Sequence, residues 1–217
     1  YLHIGGAKSG TYVYLNGQEV GYNEDSKNPA EFQINKYLKP GKNVLTLKIY
    51  RWSTGSYLEC QDFWRVSGIE RDVYLWSQPK EAIQDFRVVS TLDDTYKNGI
   101  FRLAIDLKNH NVQAKNLTVS YELLDGAGQK VASESSAIWV SPDRYATVSF
   151  ETTLPGVEAW SAEIPNLYMM LMTVKAGDEV LEVVPFHVGF RRIEIVESDQ
   201  IAGNGKPYPV LLFNGKP

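Results

Sequence analysis

An all-β chain built as two sandwich domains is what the sequence predicts, and three observations carry that prediction. Apolar and polar residues alternate with the period of two that marks half-buried strands. The runs are short and are parted by turn residues, recurring about every 8–12 positions as in sandwiches of immunoglobulin type. Helical periodicity is confined to a single turn near residues 35–38.

The elements follow in order. Thr11–Leu15 alternates into Asn16-Gly17, a strong two-residue hairpin signal, and Glu19–Tyr22 returns. Pro40-Gly41 marks a turn, after which Leu45, Leu47 and Ile49 share one strand face and Thr46 and Lys48 the other. Val73–Trp76 is a short strand ended by Pro79, and carboxylates and aromatics thin out there, which sets a boundary near 79–82. Beyond it, Phe101, Leu103, Ile105 and Leu107 alternate with Arg102, Ala104, Asp106 and Lys108, and Leu117, Val119, Tyr121 and Leu123 alternate likewise up to the turn Asp125–Gly128. Further strands are expected at 129–138, 145–153, 168–175 and 179–190, the last two joined by Gly177-Asp178. The domains are therefore drawn as 1–79, 80–196 and a remainder, 197–217. Tyr1 stands inside a strand-like run and Leu211–Pro217 stops in mid-motif, so an excised piece of a longer protein is expected.

Composition narrows the classes. With 43% hydrophobic and 22% charged residues the chain is globular rather than disordered. A net charge of −4 argues against nucleic acid as a partner. No apolar run approaches the roughly 20 residues of a membrane helix, so no membrane partner is expected. Cys60 is the sole cysteine, which excludes an internal disulfide and leaves cytoplasm and periplasm both open.

The chemistry concentrates in residues 51–76. Glu59 and Asp62 offer acceptors, Arg65 and Arg71 donors, and Trp52, Tyr57, Phe63 and Trp64 flat rings. Rings beside carboxylates suit a sugar, which has an apolar ring face and a fringe of hydroxyls. A buried arginine–carboxylate network that pins the loop is the competing reading. Elsewhere, Asn23-Glu24-Asp25 reads as a surface or turn-capping tripeptide. His3, His110 and His187 lack metal-ligand spacing, and Gly5-Gly6 and Gly126-x-Gly128 are too short for phosphate loops. Cys60 has no histidine near it in sequence. Met169–Met172 reads as the core and edge of a strand, and the sequon at Asn116 matters only in a eukaryotic secretory host.

Residues 51–76 also resemble the end of the sugar-binding domain of glycoside hydrolase family 2 β-galactosidases, through Gln61-Asp62-Phe63-Trp64-Arg65 above all. The stretch 20–32, the run Ala159–Tyr168, Val188–Arg192 and Leu212–Pro217 resemble further family motifs in family order. This resemblance implies a partial jelly-roll of galactose-binding type, then an immunoglobulin-like sandwich, then a lead-in to a (β/α)8 barrel. It implies a retaining β-galactosidase as parent, with both catalytic glutamates on the barrel and none here. Asp62 matches the family residue that contacts galactose and ligates sodium, so it is both the substrate-binding and the metal candidate. Sodium and magnesium are implied for the parent and no cofactor for this segment; the partners implied are a galactoside and the catalytic barrel. There are departures. Cys60 stands where close relatives carry Asp, Ser133–Arg144 is short for a loop that crosses a subunit interface, and Asp199–Pro209 looks inserted and exposed. A homo-oligomer therefore stays open. Without the resemblance, a stand-alone carbohydrate-binding module or a ligand-free pair of sandwiches fits the same residues.

Overall fold

A computed structural model describes residues 1–59, 64, 66–201 and 207–217. The chain divides into two compact units, Tyr1–Ser77 and Gln78–Pro217.

The first unit is assembled from short antiparallel strands. These are β1 (Leu2–Ile4), β2 (Ala7–Lys8), β3 (Gly10–Leu15), β4 (Gln18–Asn23), β5 (Ala30–Phe32), β6 (Leu45–Tyr50), β7 (Gly68–Ile69) and β8 (Val73–Leu75). They form three sheets, ordered β5-β1-β8, β4-β3-β6 and β2-β7. Leu2, Ile4, Val13 and Leu15 are buried at alternate positions, and Leu47, Ile49 and Phe32 pack against them. The hairpin turn takes the left-handed conformation at both Asn16 (φ 54°) and Gly17 (φ 81°), as its sequence demands. Asn16 also ties the turn down: its amide donates to the Tyr37 carbonyl and to Asn43 Oδ1, and its own oxygen accepts from Val44 N–H. Gly21 is needed for a different reason, since a Cβ there would lie 2.6 Å from the Phe32 ring.

The turn expected near 35–38 is a 3-10 turn at Asn35–Tyr37. One element was not expected: a single-turn helix, α1 (Thr54–Leu58). Ser-Thr-Gly-Ser reads as loop, but Ser53 N–H donates to Ser56 Oγ at 3.0 Å, half of a capping box, which satisfies an end of so short a helix. Gly55 is held there by close packing, because a Cβ would come 2.9 Å from the Glu24 carbonyl.

The second unit is a sandwich of seven long strands: β9 (Glu81–Leu92), β10 (Gly99–Asn109), β11 (Lys115–Leu124), β12 (Lys130–Val140), β13 (Tyr145–Leu154), β14 (Tyr168–Ala176) and β15 (Glu179–Val188). One sheet runs β13-β10-β9 and the other β12-β11-β14-β15, a three-on-four arrangement of the immunoglobulin-like kind. The alternating residues of β10 and β11 all face inward, joined by Met170, Met172 and Val174 from β14. Tyr121 joins the sheets, with its ring 5.1 Å from Phe101 and 5.2 Å from Phe150. Where β9 bulges opposite Asp106/Leu107, Glu182 of β15 accepts a hydrogen bond from Ile83 N–H at 2.7 Å, so one sheet repairs the ladder of the other.

After the sandwich, β16 (Ile193–Ile201) and β17 (Pro207–Phe213) pair antiparallel, with Ile193 opposite Phe213. The stretch Asp199–Pro209, expected as an exposed insertion, carries the far end of this ladder, with Ile201 opposite Pro207 and Tyr208 exposed. Residues 202–206 lie outside the described residues. Arg192 clamps the hairpin base, pairing with Asp94 at 2.6 Å and Glu194 at 2.8 Å.

Candidate functional site

The aromatic loop is built on a buried hydroxyl cluster. Ser9 is fully buried, and its Oγ lies 2.9 Å from Ser53 Oγ and 2.7 Å from Ser56 Oγ. Ser9 N–H also donates to the Tyr50 carbonyl. Together these fix where the chain leaves β6 and enters α1. At the other end of α1, Glu59 N–H closes the helix on the Gly55 carbonyl and Glu59 Oε1 accepts from Ser26 N–H at 3.0 Å. Five residues on, the Lys8 ammonium donates to the Trp64 carbonyl at 3.0 Å. Both flanks of residues 60–63 are therefore anchored to the β1–β2 and β4–β5 regions.

Asp62, the sequence candidate for sugar and sodium, lies outside the described residues, as do Cys60, Gln61, Phe63 and Arg65. Around them, Trp52, Tyr57 and Trp64 present exposed rings, Trp64 at 81%. Arg71 does not use its guanidinium on Glu59: Nη1 donates to the carbonyls of Lys27 at 2.8 Å and Gly5 at 3.3 Å. The neighbouring ion pair is Lys27–Glu70, at 2.7 Å. Among the described residues the loop is pinned by serine hydroxyls and by the Trp64 carbonyl, neither of which the sequence reading singled out; the competing arginine–carboxylate network turns on Asp62 and Arg65, which lie outside the described residues. The signal for the hydroxyls was the serine spacing at 9, 53 and 56, legible only once the strands are paired.

The tripeptide after β4 is a capped turn. Asp25 accepts from the backbone of Lys27 and Asn28 and from the Asn28 side chain. The Asn28 amide first, then the two backbone donors, hold its carboxyl below the usual range. Glu24 accepts from the Tyr22 hydroxyl. That bond, with burial second, pushes Tyr22 up to about 12. A raised pKa means the folded chain favours the neutral phenol. Its stabilisation is complete below about pH 10 and is lost as pH rises through about 12. At a pH of about 11, NMR of the Tyr22 ring should find it neutral in the native chain and ionised in Glu24→Gln. Ionisation at the same pH in both would remove Glu24 as the cause.

His3 stacks on Tyr74 at 4.4 Å and bonds Glu31 at 2.8 Å, a structural arrangement on an outer sheet face. Among the described residues no group of three His, Cys, Asp or Glu side chains could hold a metal. In the second unit, the loop 159–167 is cross-tied. Trp160 N–H donates to the Phe190 carbonyl, Asn166 to the Ala159 carbonyl, and Tyr168 OH accepts from Glu158 N–H. Tyr168 plugs the sandwich end against Phe190, whereas Trp160 is only half buried. Trp160, Tyr96, Phe213, Glu163, Asn214 and Lys216 line an open cavity of about 700 Å³.

Comparison with known proteins gives this arrangement a setting. The family model described as the sugar binding domain of glycosyl hydrolases family 2 matches residues 1–79, and that described as glycosyl hydrolases family 2 matches residues 81–191. A β-galactosidase of Priestia megaterium is 41% identical over 208 residues, 95% of this chain and 20% of that protein. One from Streptococcus thermophilus is 40% identical over 216 residues, 100% of this chain and 19% of its own length. The chain spans about a fifth of the length of these curated relatives. Among solved structures, a β-glucuronidase of Bacteroides uniformis superposes with a TM-score of 0.85 at 19% identity, covering 100% of this chain and 26% of that one. At that identity the likeness is one of fold.

Proposed function

The chain belongs to glycoside hydrolase family 2, and from that membership we propose that it is the non-catalytic front part of a retaining β-galactosidase. The observation that carries this reading is the identity of 41% to a β-galactosidase over 95% of the chain. In this reading the first unit supplies one wall of the galactose pocket and the second is the spacer that carries a catalytic barrel. Asp62 is the residue that touches sugar. An ionised carboxylate accepts hydrogen bonds only and can take one from each of two neighbouring hydroxyls, which orients a galactose without doing chemistry on it. The anchoring of Glu59 to Ser26 and of Trp64 to Lys8 supports that role, because a binding carboxylate has to be set on a fixed frame.

The ions implied for the parent, sodium and magnesium, enter no step here: the donor for sodium is Asp62, and the described residues offer no cluster of ligands. Hydrolysis itself is assigned to two carboxylates outside this chain. Calorimetric titration of galactose into the full-length protein tests the reading. Asp62→Ala should remove most of the affinity, and an unchanged affinity would take Asp62 out of the pocket.

A further inference from the structure

We propose that the outer face of the sheet β4-β3-β6 is a binding platform for an uncharged oligosaccharide, whose sugar rings lie on Tyr12 and its tyrosine neighbours.

Strand alternation builds the platform. Val13 and Leu15 of β3 point into the core, which turns Tyr12 and Tyr14 outward. The register then sets Tyr22 of β4 on one side of Tyr12 and Lys48 of β6 on the other, with Tyr50 two residues further along, opposite Gly10. From Tyr12 the ring centroids lie 4.4 Å from Tyr22, 5.9 Å from Tyr50 and 6.5 Å from Tyr14, the last with planes only 22° apart. Gly10 keeps this corner open: a Cβ there would come 2.9 Å from the Tyr22 hydroxyl. Four phenol rings thus share one face, and Tyr22 and Tyr50 remain over 40% exposed.

The polar groups sit at the ring tips, where sugar hydroxyls would fall. Tyr22 OH donates to Glu24, Tyr14 OH lies 3.4 Å from Glu19 Oε2, and Lys48 Nζ stands 4.9 Å from the Tyr50 ring centre. Two carboxylates and one ammonium nearly balance, so the face complements a neutral polyol better than a strongly charged polymer. Tyrosine gives wide amphipathic contact with few torsions to freeze, and these rings are already held by one another, which lowers the cost of binding. The rings run from Tyr14 to Tyr12 along β3 and from Tyr12 across to Tyr22 on β4, a patch larger than one sugar ring, so affinity should grow from mono- to trisaccharide. The face lies within the residues matched as a sugar binding domain. It draws on none of the residues at 60–65.

Packing alone also brings tyrosines together across strands, so the test has to separate binding from cross-strand stabilisation. β-1,4-galactotriose is titrated into the chain of residues 1–217, with tyrosine-ring NMR signals as the readout. The expected result is saturable shifts of Tyr12, Tyr14 and Tyr50 with a Kd of about 1 mM, a weak affinity in the usual sense, and a weaker response to galactose. Tyr12→Ala and, at an exposed position that leaves the core alone, Tyr50→Ala should each weaken binding at least about tenfold. Asp62→Ala should leave it unchanged. No saturable shift at about 20 mM trisaccharide overturns the proposal. So do shifts that survive in both tyrosine variants but vanish in Asp62→Ala, which would support the pocket-wall reading alone. Shifts that track protein concentration instead of sugar overturn it in favour of a second copy on this face.

Discussion

Phe101→Ala should cost the second unit about 3–5 kcal/mol, the largest stability loss expected of any single truncation in this chain. Phe101 is fully buried near the start of β10, and its ring meets Tyr121, which in turn meets Phe150 on the neighbouring strand. Deleting the ring therefore removes apolar burial and leaves a void between both sheets, and neither long, well-paired strand can collapse to fill it. Domains are stable by only about 5–15 kcal/mol, so a large part of the total is at stake. Urea unfolding followed by Trp160 and Trp139 fluorescence would show the midpoint fall. Val112→Ala, at a site 93% exposed, should stay within about 0.5 kcal/mol and serves as the control. A Phe101→Ala loss below about 1 kcal/mol would mean that the inter-sheet aromatic stack is not what holds the sandwich.

Asp62→Ala should have the largest functional effect. Hydrogen bonds to a charged group contribute about 1.5–3 kcal/mol each, and Asp62 is assigned two. Losing both should lower kcat/KM of the full-length protein on a β-galactoside by at least about 100-fold, since about 1.4 kcal/mol corresponds to tenfold. If Asp62 holds substrate and transition state alike, the loss falls on KM; if its bonds tighten as the ring distorts, it falls on kcat as well. Asp62→Asn keeps one acceptor oxygen and should lose less. An unchanged kcat/KM in Asp62→Ala would contradict the assignment.

How much of this was legible before the strands were paired depends on whether a feature is local. The alternation in 101–107 and 117–123 fixes which side chains face inward, and every one of those apolar positions is buried. The Asn16-Gly17 turn is equally local, because Asn-Gly favours the positive φ at both residues that a type I′ hairpin needs. Features that depend on register were not legible. The bridging of β9 by Glu182 joins residues 99 positions apart, and the serine cluster under α1 draws on residues 9, 53 and 56. The tyrosines of β3, β4 and β6 are visible one by one in the sequence, yet their grouping on one face exists only in the sheet. Helix α1 was hidden because its stabilisation comes from a cap and from packing on Glu24, not from propensity. Asp62 stood out only through resemblance, since nothing in composition sets it apart from Glu59 or Glu70.

The most direct test of the account is to assay the purified chain of residues 1–217 alone for hydrolysis of a chromogenic β-galactoside. The expected result is no turnover above buffer, because this chain is assigned a wall of the pocket and a spacer, with both catalytic carboxylates elsewhere. Saturable hydrolysis that co-purifies with the folded chain would contradict it and would require an acid–base pair within these residues.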